Sequence, residues 1–339
     1  MAYFGLDFGS SSIKVVQSEL LGTKGYRVNA IGLVQNPVGV LTFDDPRVQG
    51  KLAQAVKQVI SQAGIHDKRV VVSIPESRAY SRVIEMPNMS DAELSTAVTW
   101  EAEQFVPIPV AEVEIDYVVV KRPPKGSDQK MLVYLVAAPK KYLQSMIDFL
   151  LSIGVEPVAV ESEMVAVSRV FTIGGAQGAS MILHIGAQST VLAVVDGDAL
   201  LFTHVSNAGG VAMTRSISES LKLPIAQAEE YKRTYGLDEA QLEGKVRQSL
   251  LLVFDGLITD MRKAMEHIGA RYSTNVSRVV LSGGGAYMPG LSQHLSGVFG
   301  GMEVSLGDPF MSAKPARGVV IPNERTVYSV AAGLSVRAF

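Results

Sequence analysis

Two glycine-containing turns, each flanked by strand-like segments, carry the residues best suited to bind phosphate. The first lies within Leu6–Lys14, and its candidate ligands are Asp7, Gly9, Ser10, Ser11, Ser12 and Lys14. A glycine lets the backbone approach an anion closely, and turn amides and serine hydroxyls can donate hydrogen bonds to phosphate oxygens. Asp7 ends the first strand, where its carboxylate can hold a magnesium ion through water. The same residues also suit an ordinary hairpin turn, so this segment alone leaves both interpretations open.

A second turn repeats the pattern in the other half of the chain. Its candidate phosphate-binding residues are Gly186, Ala187, Gln188, Ser189 and Thr190. Alignment of the glycines places Gly186 over Gly9, 177 positions apart, and His184 over Asp7. A single duplication at this distance indicates two related halves rather than a short-period repeat protein. Two facing hairpins can hold a phosphate chain from both sides, whereas no Walker A loop or Gly-x-Gly-x-x-Gly motif is present.

A run of three glycines follows a later predicted strand. The candidate residues there are Gly283, Gly284, Gly285 and Met288. Bare backbone after a strand lets a flat base or a ribose lie against it, which favours a nucleoside contact over a merely flexible loop.

Two further pairs are weaker candidates. Glu229 and Lys232 lie one helical turn apart and can reach ribose hydroxyls and a base edge, although a surface ion pair has the same spacing. Gly209 and Gly210 precede a predicted helix, where they can contact phosphate or simply form a turn.

Composition excludes several other kinds of chemistry. The chain has 339 residues, which favours two lobes, and its net charge of −2 gives no electrostatic reason to expect nucleic-acid binding. The absence of cysteine excludes disulfides, thiol catalysis and cysteine-ligated metals. Five scattered histidines never form a His-x-x-x-His pair, so a metalloenzyme is disfavoured. The first residues do not resemble a signal peptide, and no apolar run reaches the roughly 18–20 residues of a membrane span.

Hydrophobic periodicity predicts the strands and helices that must position these residues. Strands are expected at Tyr3–Phe8, Ile13–Leu20, Tyr26–Val34 and Arg69–Ile74, with a helix at Lys51–Ala63 between the last two. Residues 76–155 read as a self-contained β-α-β-β-α insert, in which Ser90 and Glu93 predict a helix capping box. The second half predicts helices at Val211–Leu221, Ile225–Tyr235, Val246–Tyr272 and Thr326–Ala338, and a strand at Ser277–Leu281.

These segments occur in the order found in the actin-like ATPase superfamily, which includes actin, sugar kinases and the division protein FtsA. The segments Arg82–Pro87, Trp100–Pro109 and Asp116-Tyr117, together with Gly5–Lys14 and Ala228–Lys232, resemble the PilM family of type IV pilus assembly proteins. The resemblance implies an α/β, ribonuclease H-like duplicated, two-lobed actin-like fold with an FtsA/PilM-type inserted subdomain. Four subdomains are expected. The first comprises 1–75, 156–178 and 327–339, and the insert is 76–155. The third comprises 179–212 and 274–326, and the fourth is 213–273.

The resemblance also implies a function. Members of the family are cytoplasmic, ATP-binding components of the pilus inner-membrane platform, so ATP or ADP and Mg²⁺ are the expected cofactors. They dock the N-terminal tail of a bitopic, PilN-like membrane protein in a groove beside the insert, and they contact the membrane only through partners. By position, Arg82, Glu101, Phe105 and Pro107 are expected near that groove, although Phe105 equally suits a core position and Pro107 a plain helix stop. Other platform proteins are further expected partners.

One departure from the superfamily pattern bears on turnover. Hydrolysing members place an acid in the second phosphate strand, where this chain has His184. The remaining metal-side carboxylates are then Asp7 and Glu161, and the loss of one anionic group should weaken magnesium placement and water activation. We therefore expect nucleotide binding with slow or no hydrolysis.

Two alternative functions stay open. The first is an FtsA- or MreB-like filament protein, although the C-terminus lacks an amphipathic membrane helix. The second is a small-molecule kinase, although no short motif indicates a carboxylate base.

Overall fold

The first sheet carries the first glycine turn. The computed structural model describes residues 2–22, 25–39, 42–124, 126–173 and 178–338. Its first sheet has the strand order β14-β3-β2-β1-β4-β8. The strands are β1 (Phe4–Phe8), β2 (Ser12–Leu20), β3 (Tyr26–Gln35), β4 (Arg69–Ile74), β8 (Glu156–Ser162) and β14 (Ala313–Pro315). Strand β1 is buried along its whole length because it lies between antiparallel β2 and parallel β4.

The second sheet repeats this arrangement. Its order is β11-β10-β9-β12-β13, and antiparallel β9 and β10 form a hairpin with β12 parallel to β9. The strands are β9 (Ala179–Ile185), β10 (Thr190–Asp196), β11 (Ala199–Ser206), β12 (Val276–Ser282) and β13 (Glu303–Leu306). The hairpin with one parallel neighbour matches the topology around β1, as expected for the predicted duplication. The predicted α/β fold is present in both halves.

Helices cover the two sheets. They are α1 (Pro46–Gln62), α3 (Lys140–Ser152), α4 (Glu163–Thr172), α5 (Gly210–Leu221), α6 (Ile225–Thr234), α7 (Lys245–Tyr272), α8 (Leu291–Val298) and α9 (Ser329–Ser335). Helix α1 begins five residues before the predicted Lys51, because Asp45 caps it and Pro46 occupies its first turn. The predicted helix at Thr326–Ala338 is instead a short 3₁₀ turn, Arg325–Tyr328, followed by α9. None of the helices in the described part of the chain combines the length and apolar character needed to cross a bilayer.

The insert is a three-stranded antiparallel sheet with one helix. Strands β5 (Tyr80–Met86), β7 (Met131–Pro139) and β6 (Val113–Lys121) pair in that order, and α2 (Asp91–Glu103) covers one face. Both predicted hydrogen bonds of the capping box between Ser90 and Glu93 are present at the start of α2. The other face of the sheet packs on the second lobe, which is the half of the molecule that contains the second sheet. There Arg271 of α7 pairs with Glu85 of β5 at 2.8 Å.

Helix α3 packs away from the insert sheet. Its buried residues Met146, Phe149 and Leu150 belong to the core of the first sheet, together with Phe4 and Phe8. By packing, the insert therefore ends near the last residue of β7, although the predicted range 76–155 extended through α3. The subdomain boundaries stay a prediction, and their terminal residues 1 and 339 lie outside the described residues.

Candidate functional site

The first hairpin fixes an acid and an amine side by side below its turn. Asp7 and Lys14 are direct partners in the register of β1 and β2. The Lys14 Nζ lies 2.9 Å from the Asp7 Oδ2, and the two residues are only 9% and 3% exposed. A side chain at Gly9 would bring a Cβ within 2.6 Å of the Lys14 Nζ, so the glycine leaves room for this amine. A buried ion pair contributes little net stability by itself, which favours a functional reason for its presence.

Asn36 anchors the turn above this pair. Its side-chain amide donates to the Gly9 carbonyl oxygen at 2.9 Å, and its backbone amide donates to the Ser11 carbonyl oxygen at 3.0 Å. The predicted phosphate-binding residues Ser10 and Ser12 are partly exposed in the turn, and Ser11 is exposed. Sequence reasoning missed Asn36, because it follows β3 and reaches the turn only through strand pairing.

The second turn packs against the start of helix α5. The Gly186 amide donates to the Ser189 carbonyl oxygen at 2.9 Å, which closes the turn. The carbonyl oxygens of Gly186 and Ala187 accept hydrogen bonds from the amides of Gly210 and Val211, at 2.9 and 2.8 Å. The Gly210 amide, predicted as a phosphate contact, therefore already has an acceptor within the protein.

Two other predicted residues of this region complete the contact. The Thr190 hydroxyl donates to the Ala208 carbonyl oxygen at 2.6 Å, just before α5. Gln188 lies at the exposed tip of the turn. A Cβ on Gly209 would lie 2.4 Å from the carbonyl carbon of Gln188. The close approach of the two backbones explains the glycine at position 209 without a ligand.

His184 of the second hairpin lies within electrostatic range of the first hairpin. Burial lowers the pKa of its imidazole to about 4, while the charge of Asp7 raises it and that of Lys14 lowers it further. The influence of both charges is consistent with a cleft between the two turns. The His184 Nδ1 lies 3.0 Å from the Ser282 Oγ at the end of β12. The ring is therefore neutral at pH 7.

Glu163 is a cleft carboxyl that sequence reasoning missed. It begins α4, and burial raises its pKa to about 8, with further contributions from the negative charges of Asp7 and Glu76. Glu161, predicted as a metal-side carboxylate, is held elsewhere: Arg169 donates to both its oxygens, at 2.8 and 2.5 Å. Arg337 lies 3.4 Å from the same carboxylate. The structure brings Asp7 together with Glu163, and the catalytic role assigned to Glu161 stays a prediction.

The predicted pair Glu229 and Lys232 is partly buried in the second lobe, since Lys232 is buried and the Glu229 side chain is 34% exposed. The Lys232 Nζ donates to the Gly210 carbonyl oxygen at 2.9 Å, to the Thr214 Oγ1 at 2.8 Å and to the Glu229 Oε2 at 2.6 Å. Burial lowers the pKa of Lys232, and its hydrogen bond to Glu229 opposes this. The pair thus ties α6 to the start of α5, directly behind the second turn.

Packing explains two of the three consecutive glycines. A Cβ on Gly285 would lie 2.2 Å from the Ile185 Cγ2, and one on Gly283 would lie 2.5 Å from the Ile185 carbonyl oxygen. Gly284 is exposed, and the nearest atom to its Cβ would be 4.0 Å away. Met288 is buried in the core of the second lobe. Gly284 is therefore the position in this run with open space for a base or ribose.

Two cavities flank the base of the insert. The first has a volume of about 230 Å³, lies between the insert and β11, and is lined by Tyr80, Ser81, Phe105 and Thr203 among others. We call it the Phe105 cavity. Of the other predicted partner-binding residues, Arg82 and Pro107 are exposed and Glu101 is partly exposed on the same subdomain.

The second cavity has a volume of about 300 Å³ and is lined by Phe43, Arg78 and Tyr142, among others. The Thr203 Oγ1 in the Phe105 cavity and the Tyr142 hydroxyl in the second cavity are buried without a hydrogen-bond partner in the described part of the chain. Buried hydroxyls of this kind are rare.

Among the described residues, no three or more His, Cys, Asp or Glu side chains are grouped so that they could hold a metal by themselves. The cleft offers Asp7 and Glu163, which suits an ion that takes its remaining ligands from phosphate and water.

Comparison with known proteins gives the same fold. A sequence profile described as type IV pilus assembly protein PilM matches residues 5–339. A solved PilM–PilN type IV pilus biogenesis complex is similar at a TM-score of 0.84 and 24% identity, covering 98% of this chain and 97% of that chain. MreB 5 of Spiroplasma citri bound to AMPPNP gives a TM-score of 0.54 at 11% identity, over 98% and 94% of the two chains. The cell division protein FtsA of Streptococcus pneumoniae serotype 2 (strain D39 / NCTC 7466) is 24% identical over 340 residues, 88% of this chain and 74% of FtsA. The predicted actin-like fold is confirmed.

Proposed function

Because the chain belongs to the PilM family of type IV pilus assembly proteins, we propose that it is a nucleotide-binding scaffold of the pilus inner-membrane platform. The observation that carries nucleotide binding is the buried Asp7–Lys14 pair, 2.9 Å apart and within electrostatic range of His184. Lys14 and the amides of the first turn would contact phosphate oxygens, and the second turn would contact them from the opposite side. The solved MreB 5 structure holds AMPPNP in the same fold.

The remaining cleft residues fit a magnesium-bound nucleotide. Asp7 and Glu163 would hold Mg²⁺ through water, and Gly284 would lie against the adenosine. The positive charge of the ion would favour the ionised form of Glu163, whose pKa is otherwise raised to about 8. Bound Mg-ATP would supply the interactions that draw the two lobes together. His184 adds no negative charge, and we therefore propose slow or no hydrolysis.

Calorimetry with Mg-ATP tests this assignment. Asp7→Ala should weaken binding at least tenfold, because it removes the carboxylate on the metal side and leaves Lys14 without its partner. Glu161→Gln is the matched control, since that carboxylate is already held by Arg169 and Arg337. Full-strength binding by the Asp7→Ala protein would refute the site, and equal losses in both variants would indicate a general structural effect.

The proposed partner is the N-terminal cytoplasmic tail of a PilN-like bitopic membrane protein. The similar solved structure is a complex of PilM with PilN. The tail would dock in the Phe105 cavity, which lies between the insert and β11 and is lined by Tyr80, Phe105 and Thr203 among others. The protein would then reach the membrane, and other platform proteins, through this partner.

A peptide copying the tail of the PilN-like protein from the same genome tests the partner. One-to-one binding in calorimetry is expected, and Phe105→Ala should weaken it about tenfold or more, as for a buried aromatic anchor. Arg78→Ala, in the second cavity, is the control. Loss of binding in Arg78→Ala alone would move the docking site to the second cavity. Absence of binding to the wild-type protein would refute the partner and leave filament formation to be tested by pelleting.

A further inference from the structure

A buried carboxylate occupies the point where the chain leaves the first sheet and enters the insert. Glu76 lies between β4 and β5 and is only 2% exposed. Its Oε1 accepts hydrogen bonds from the Ser162 hydroxyl and from the Met164 amide, the latter at 3.3 Å. Its Oε2 accepts from the Ser81 hydroxyl at 2.7 Å. These donors come from two subdomains, so the carboxylate is a shared contact between them.

One side of this network reaches the nucleotide cleft. The backbone amide of Glu76 donates to the Glu163 Oε2 at 3.4 Å. The negative charge of Glu76 is also among the causes that raise the pKa of Glu163, after burial and the charge of Asp7. A change of position at the Glu163 carboxyl therefore acts directly on Glu76 through this hydrogen bond.

The other side reaches the insert. Ser81 belongs to β5 and also lines the Phe105 cavity. Tyr134, in the central strand β7, is 2% exposed and donates to the Ser162 hydroxyl at 2.9 Å. Glu76 is therefore connected to β5 through the Ser81 hydroxyl and to β7 through the Ser162 and Tyr134 hydroxyls. Strands β5 and β7 are paired neighbours. The path from Glu163 through Glu76 to Ser81 ends at the wall of the cavity.

We propose that Glu76 is a positioning residue that couples the nucleotide cleft to the Phe105 cavity. The coupling rests on the proposed nucleotide-binding function. With the cleft filled, Glu163 would hold the ion through water instead of accepting from the Glu76 amide, and Glu76 would then change its hydrogen bond to Ser81 of β5. Buried hydrogen-bond networks transmit such changes because each member has few alternative partners. Thermodynamic linkage requires that occupancy of the cavity alter nucleotide affinity by the same factor.

Hydrogen–deuterium exchange with and without Mg-ATP tests the coupling in the full chain. The variants are Glu76→Gln, which removes the charge, and Ser81→Ala, which removes only the contact to β5. In the wild-type protein, nucleotide should slow exchange in residues 7–14 and, by about fivefold or more, in 79–86 and 131–139. Both variants should keep the response at 7–14. Glu76→Gln should lose the response in both insert strands, whereas Ser81→Ala should lose it in 79–86 and keep it in 131–139.

Glu85→Gln is the matched control, because Glu85 lies on the same strand but pairs with Arg271 of α7 and has no contact to Glu76 among the described interactions. It should keep the wild-type response. A full insert response in Glu76→Gln and Ser81→Ala would overturn the proposal, as would a wild-type response confined to 7–14. No nucleotide effect at 7–14 in the wild-type protein would instead refute nucleotide binding itself, and with it the coupling.

Discussion

Replacing Glu163 with glutamine should stabilise the protein at alkaline pH. The folded-state pKa of this carboxyl is raised from 4.5 to about 8, so the folded protein holds a proton that the unfolded chain releases. Stability from this group is fully present below pH 4.5 and is lost as the pH rises through about 8. The raised pKa corresponds to at most about 5 kcal/mol, and partial exposure reduces the expected effect to about 2 kcal/mol.

Urea unfolding at pH 5.5 and pH 8.5 measures this effect. The free energy of unfolding of Glu163→Gln, relative to wild type, should be about 2 kcal/mol more favourable at the higher pH. Glu161→Gln is the control, with the same substitution two positions earlier. It should destabilise the protein by about 1–3 kcal/mol at both pH values, because Arg169 loses a charged partner.

The raised pKa of Glu163 would be refuted if the stability of Glu163→Gln, relative to wild type, were the same at both pH values or lower at pH 8.5. Either result would mean that Glu163 is ionised in the folded protein at neutral pH. The carboxyl would then lie in a solvated or positively charged environment rather than beside Asp7 and Glu76.

Three further predictions concern the second lobe. Gly285→Ala should destabilise the protein by about 1–3 kcal/mol in urea, because its Cβ would lie 2.2 Å from the Ile185 Cγ2, whereas Gly284→Ala should change stability by less than about 0.5 kcal/mol. Lys232→Met should cost about 2–4 kcal/mol, since one buried and two partly buried acceptors lose their donor, and thermal unfolding will measure it. His184→Asn should reduce the loss of stability on acidification from pH 7 to pH 4.5 by about 1–2 kcal/mol, because the pKa of His184 is lowered from 6.5 to about 4 and only the unfolded chain takes up the proton.

Local signals predicted most of the elements. The glycine turns lie between paired strands in both halves, and the capping box at Ser90 begins α2 as expected. Hydrophobic runs and helix caps depend on neighbouring residues, so a sequence displays them directly. The resemblance to the PilM family, drawn from the short segments of the insert, is confirmed. The residues assigned to phosphate, metal and partner binding stay predictions.

Other assignments depended on distant contacts. Helix α3 has the pattern of any amphipathic helix, and only packing shows that Phe149 faces Phe8 rather than the insert sheet. Glu161 and Glu163 are equivalent acids in the sequence. Strand β8 ends at Ser162 and α4 begins at the next residue, so the change of backbone direction sends the two carboxyls to different surroundings.

The sequence by itself therefore determined the duplicated α/β fold, the two turns and the family, because these follow from periodicity and short motifs. The tertiary structure decided which acid faces the cleft, which glycines are required by packing, and how the cleft is connected to the insert. Burial, charge proximity and hydrogen bonding between residues far apart in the chain set these properties. Glu76 illustrates the difference, since its position near Glu163 joins residues separated by 87 positions.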